Sequence, residues 1–220
     1  MPLQYVVLPL KGLLITYLLS GGGALIAPFL PFIGLCAYIS LAIIKPTDTW
    51  EWAVPDGPYS KVVVISVVLG WGFKRFGTWD FGAAKPVVYC FGAFVAWSEL
   101  SATLVATDQY IASYFVGIMF KIFLPFLICM TLVDSIDKLK ILAWVIILSM
   151  GLVAYEQNIH YLSTGMVIGG TVKNGISHEM AAGVGLAIFL GLYSEKTWQK
   201  WTCWLIAGLL VHVPLMHMSR

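Results

Sequence analysis

Residues 110–133 read YIASYFVGIMFKIFLPFLICMTLV, with Lys121 the one charge in the run. A helix needs about 20 mostly apolar residues to cross the hydrocarbon of a bilayer. This stretch therefore reads as a membrane span, and the rest of the chain has the same character. Of 220 residues, 60% are apolar and 11% charged, and the mean hydropathy is +0.87. Soluble domains carry roughly twice that share of charge. A soluble enzyme, a nucleic-acid binder and a disordered protein are excluded, and a net charge of +2 is too small to point to a polyanion partner. The expected class is an all-α, polytopic integral membrane protein whose partner is the lipid bilayer.

Working outward from residues 110–133, we expect eight transmembrane helices in one domain over residues 1–220. The run Leu3–Ile44 is broken at Ser20-Gly21-Gly22-Gly23 and makes two passes, with Pro28, Pro31 and Gly34 inside the second. A polar, Pro- and Trp-rich loop follows, Lys45–Ser60. The remaining passes are Val62–Phe73, Pro86–Leu104, Tyr110–Val133, Leu139–Tyr155, Glu179–Tyr193 and Thr202–Met218. Met1–Leu10 lacks a basic region and no small-residue cleavage site follows, so the first stretch is expected to stay as an anchor. The close at Met218-Ser219-Arg220 without a polar tail leads us to expect the N-terminal part of a larger helical bundle.

Loops after odd-numbered passes hold Lys74, Arg75, Lys85, Lys138, Lys140, Lys196 and Lys200; those after even passes hold Lys45, Lys61, Lys173 and Arg220. The positive-inside rule places the first set in the cytoplasm. Trp50, Trp52, Trp71, Trp79, Trp198 and Trp201 fall near span ends, as interface anchors do. The cysteines Cys36, Cys90, Cys129 and Cys203 stand far apart in apolar runs and read as small buried packing residues, with no metal or redox pairing.

In so apolar a chain, ionisable groups at or within the membrane are the informative ones. They are Glu99, Asp108, Lys121, Glu156, His160, Lys173, His178 with Glu179, and Arg220. All but Lys121 fall near the outward ends of spans, where they make either a site for a charged, lipid-linked ligand or a set of snorkelling and paired interface charges. Lys121 is expected to form an intramembrane ion pair with Glu99. Glu156 and His160 are four apart and share a helical face, fit for acid–base chemistry or for fixing a helix end. His178-Glu179-Met180-Ala181-Ala182 lacks the second histidine of a zinc helix, and Lys173 does not directly follow Gly175 as a phosphate loop requires. Lys173 beside flexible glycines and a helix start near Ser177 would still suit an anion. His212 and His217 read as satisfied packing histidines.

The segment Lys173-Asn174-Gly175-Ile176-Ser177-His178-Glu179-Met180-Ala181-Ala182, leading into a Gly/Ala-rich span, resembles a segment of the O-antigen ligase and polymerase family. That family carries a Ser-Arg-Gly element one span later, where this chain has Ser219-Arg220. Pro31-Phe32-Ile33-Gly34-Leu35, Pro46 before the Trp-rich loop, and Leu69-Gly70-Trp71 resemble its exosortase-associated O-glycosylation ligase branch. The resemblance implies a bacterial inner-membrane glycosyltransferase without cofactor or metal. Such an enzyme moves a glycan from an undecaprenyl-diphosphate carrier to an acceptor lipid, protein or glycan on the periplasmic face. It implies Arg220 as the catalytic group on the diphosphate, because Arg grips phosphate oxygens bidentately. It also implies Lys173, Asn174, His178 and Glu179 as substrate-binding residues. Relatives have about a dozen spans and a later periplasmic loop bearing the histidine base; without it, the 220 residues alone are expected to supply the donor side and to be inactive. A secondary transporter with a Glu99–Lys121 relay, and a structural subunit packing through Gly183 and Gly185, are the alternative readings.

Overall fold

The computed structural model of the protein describes residues 4–166, 168 and 174–218; side chains are described for 10–166, 168 and 177–216. Every regular element among the described residues is a helix. The chain runs through α1 (Gln4–Tyr17), a π turn (Leu18–Gly22), α2 (Gly23–Ile26), α3 (Pro31–Ile44), the short α4 (Pro46–Thr49) and α5 (Tyr59–Phe73). A 3₁₀ turn (Gly82–Ala84), α6 (Lys85–Leu104), α7 (Gln109–Leu132), α8 (Ile136–Thr164), α9 (Asn174–Tyr193) and α10 (Thr197–Met218) follow.

Local chemistry sets the boundaries. Asp108 caps α7, its carboxylate accepting from the Ile111 amide at 3.0 Å, and Ser135 starts α8. Pro46 ends α3, because the residue before a proline is pushed out of the α region; Lys45 there adopts φ 46°. Gly165, at φ 69°, closes α8.

Among the described residues three helical stretches are long and apolar enough to cross a membrane: Pro31–Thr49, Gly82–Leu104 and Gln109–Leu132. The expected eight passes do not all meet that standard. Tyr59–Phe73 has 15 residues, which at 1.5 Å each reach about 22 Å of a ~30 Å hydrocarbon core. The expected break at Ser20–Gly23 is also corrected. The Thr16 and Ser20 hydroxyls donate back to the carbonyls of Gly12 and Thr16, at 2.7 and 2.6 Å. That competition loosens a helix without ending it, and the chain winds on as a π turn. The reversal falls at residues 27–30, where Pro28 and Pro31 force it, so Pro28 and Pro31 flank a turn and are not interior to a pass. The helix expected as the sixth pass also runs further than expected, since α8 continues nine residues past Tyr155 to Thr164.

α8 packs on α3, α9 and α10, α9 packs closely on α10, and α6 pairs with α7. One core gathers Trp50, Ile147, Met150, Met180 and Leu210; another gathers Ala27, Leu35, Val63, Val67 and Ile128. Trp50 is 1% and Trp71 6% exposed, so neither is an interface anchor. Trp50 lies against Gly12 of α1, and Trp71 donates from Nε1 to the Thr131 hydroxyl at 2.9 Å. Of the cysteines, Cys90 is exposed on α6, contrary to the buried role expected. The large apolar side chains of α6 and α7 are widely exposed, as suits a surface whose solvent is lipid.

Small residues bring α2, α3 and α5 into close approach, the usual means of association where lipid removes the hydrophobic drive. A Cβ on Gly70 would sit 2.1 Å from the Ala27 carbonyl oxygen, and one on Gly34 would sit 2.4 Å from the Ala27 methyl. Gly183 abuts Met150, whereas a Cβ on Gly185 would meet nothing within 4 Å among the described residues. Gly70→Ala is expected to lower stability by about 1–3 kcal/mol in a denaturation titration in detergent. Gly185→Ala should stay within about 1 kcal/mol of the parent protein.

Candidate functional site

The site grows from three successive residues of α8. Glu156, Gln157 and Asn158 are all buried, and in a helix consecutive side chains diverge by about 100°. Each therefore needs a partner on a different neighbour, since an unsatisfied buried polar group costs free energy and a buried charge costs more. Glu156 forms a close ion pair with Lys11 of α1. The Lys11 ammonium also lies 5.0 Å from the Tyr155 ring centroid. Gln157 accepts from the Ile168 amide at 3.1 Å. Asn158 donates to the Ala154 carbonyl at 2.6 Å and the Leu209 carbonyl at 3.2 Å. Its carboxamide oxygen meets Nδ1 of His212 on α10.

Around this seam, the Lys45 ammonium donates to the Glu179 carboxylate at 3.0 Å, joining the end of α3 to the first turns of α9. Both side chains are over two-fifths exposed. Between them opens a cleft of about 160 Å³ lined by Ile43, Lys45, Asp48, Gln157, Glu179 and Met180 among others. That is the space of about five water molecules, enough for a phosphate-sized group. The ring of His160 stacks on Trp52, 6.2 Å between centroids and 15° between planes.

The contacts sort the ends of the bundle. Lys11, Lys45, Trp52, Glu156, His160, Glu179 and His212 meet at one end. At the other end, Lys138 lies over Phe32 and Lys140 over Tyr193. There Lys138 donates to Asp134 at 2.7 Å, and that hydrogen bond holds the Asp134 carboxyl below the usual carboxylate range.

Several expectations are revised. Glu156 and His160 share the predicted stretch of helix but do not act on each other; the carboxylate is taken by Lys11 and the imidazole by Trp52. Glu99 and Lys121 are both exposed and form no ion pair. The helical phase explains it: Phe123 of α7 meets Phe91 and Gly92 of α6. Lys121, two residues from Phe123, lies about 160° around the helix from that face. The relay invoked for a transporter is thus not assembled. Asp108 is a helix cap, and His178 is exposed. Asn174 opens α9, ahead of the start expected near Ser177; its side chain, Lys173 and Arg220 lie outside the described residues. Among the described residues no group of His, Cys, Asp and Glu is placed to hold a metal ion.

Lys11 and Lys45 join the site although the sequence assigned them no role in it, whereas Gln157 and Asn158 belong to the polar stretch Tyr155–His160 that closes the expected sixth pass. Lys11 had a readable signal: as the single charge of Leu3–Ile44, it demands a counter-charge elsewhere. No family model, curated protein or solved structure matches the chain.

Removing one member of a buried pair leaves the other charge uncompensated, which costs roughly 3–5 kcal/mol. Lys11→Met should destabilise the protein by ~3 kcal/mol, near the low end because Lys11 is partly exposed. The double variant Lys11→Met/Glu156→Leu should recover most of the loss. Thermal unfolding in detergent of both variants checks the pattern.

Proposed function

We propose that the protein is an integral membrane glycosyltransferase of the O-antigen ligase-like kind, crossing a bacterial inner membrane eight times. It takes a glycan from an undecaprenyl-diphosphate carrier and passes it to a lipid, protein or glycan acceptor at the periplasmic face. The observation that carries this reading is the cleft at Lys45 and Glu179, set among buried polar groups at the end of the bundle opposite Lys138 and Lys140. The positive-inside rule directs a lysine-rich end to the cytoplasm, which turns the cleft outward.

The chemistry follows from the Lys45–Glu179 pair. An exposed ion pair contributes at most about 1 kcal/mol, so Lys45 is readily drawn to a stronger anion. A diphosphate entering the cleft meets the ammonium at its mouth, while Glu179 and His178 are left to hydrogen-bond sugar hydroxyls. Lys173, Asn174 and Arg220 complete the donor contacts in this proposal, with the Arg220 guanidinium stabilising the charge that develops on the departing diphosphate. The small cleft suits the diphosphate alone, and the polyprenyl tail lies in the surrounding lipid.

The test is a titration of the purified chain in nanodiscs with undecaprenyl diphosphate. One charge-assisted contact contributes about 1.5 kcal/mol or more, so Lys45→Ala should weaken binding about tenfold. Lys196→Ala, at the far end, should leave it unchanged. Absence of saturable binding, or equal losses in the two variants, overturns the proposal.

A further inference from the structure

At the end of the bundle away from the Lys45 cleft lies a larger groove, about 560 Å³, within the ordinary size range of ligand pockets. Phe29, Leu30, Phe32, Ile33 and Ile141 line it, with Lys74 and Lys138 among the lining residues. Phe29 and Leu30 are 74% and 57% exposed, so the apolar lining stands open.

The basic edge of this groove is built, not loose. Arg75, Phe76 and Gly77 take φ of 56°, 65° and 69° in succession, a left-handed turn that two of those three residues adopt only at a cost. Packing holds it there. Phe76 meets Trp71 edge-on at 5.0 Å, and Thr78 donates from both its amide and its hydroxyl to the Thr131 carbonyl, at 3.0 and 3.1 Å. A Cβ on Gly77 would come within 2.5 Å of that same oxygen, so the turn sits hard against the end of α7. The result is a fixed position for Lys74 beside the apolar lining.

The charges are unbalanced. Lys138 is neutralised by Asp134, but no ion pair among the described residues includes Lys74 or Arg75. An occupant must supply an anionic head for Lys74 and an apolar body for the lining. We propose that the groove binds one anionic phospholipid, its phosphate at Lys74 and an acyl chain along Phe29, Leu30 and Ile33. A second copy of the chain fits poorly, because a two-fold contact would gather the Lys74 and Arg75 cations of both copies into one interface. This inference does not depend on the activity proposed for the other end.

The experiment is native mass spectrometry of the full chain released from nanodiscs of mixed phosphatidylglycerol and phosphatidylcholine. One phosphatidylglycerol should be retained in preference to phosphatidylcholine. Lys74→Gln should reduce that retention about fivefold, the effect of one surface lysine on an anionic lipid, and Lys61→Gln should not. Ile33→Trp, which fills the groove, should displace the lipid while the unfolding temperature stays near that of the parent. Equal retention of the two lipids, insensitivity to Lys74→Gln, release by excess inorganic phosphate, or a dimer that hides the groove overturns the proposal.

Discussion

The arrangement depends on Glu156, Gln157 and Asn158, three adjacent buried polar residues in the last third of α8. No single neighbour can satisfy them, because their side chains leave α8 in three directions. Lys11 of α1, the amide of Ile168 and the Leu209–His212 turn of α10 answer them in turn. Elements far apart in sequence are thus tied to one stretch of α8. Apolar packing alone would not fix this register, since lipid and apolar side chain are nearly equivalent surroundings.

The same ties place the chemistry. With Lys11 committed to Glu156 and His212 to Asn158, the seam is electrostatically closed, and the groups left accessible are Lys45, Glu179 and the stacked His160. Strong pairing inside and weak pairing at the mouth let the Lys45–Glu179 pair exchange partners without loosening the frame behind it.

Class and most helix positions were readable from composition and from runs such as residues 110–133, because a bilayer rewards apolar length directly. Turns were harder. Three glycines at 21–23 look like a stop, yet the prolines at 28 and 31 decide, since lost amides outrank flexibility as helix terminators. Trp50 and Trp71 were misread as anchors because a tryptophan near a span end has the same sequence signature whether it faces the headgroups or the core. The co-location of Glu156, His160 and Glu179 at one end was anticipated. Their partners were not, because pairing across 145 residues, as from Lys11 to Glu156, leaves no periodic trace. Glu99 and Lys121 show the converse error: two lone charges on neighbouring spans invite pairing, and helical phase forbids it.

The π turn at Leu18–Gly22 has a consequence for how the first rod is addressed to its neighbours. It accommodates one surplus residue locally. Wound evenly as α-helix, the same chain would swing the half before the turn by roughly 100° relative to the half after it. As built, the half before the turn offers Lys11 and Gly12 to Glu156 and Trp50, while the half after it offers Gly23 and Ala27 to α3 and α5. The joint therefore works as an indexing step between two mating surfaces: shortening by one residue restores plain winding with both surfaces aligned, and any other change of length uncouples them.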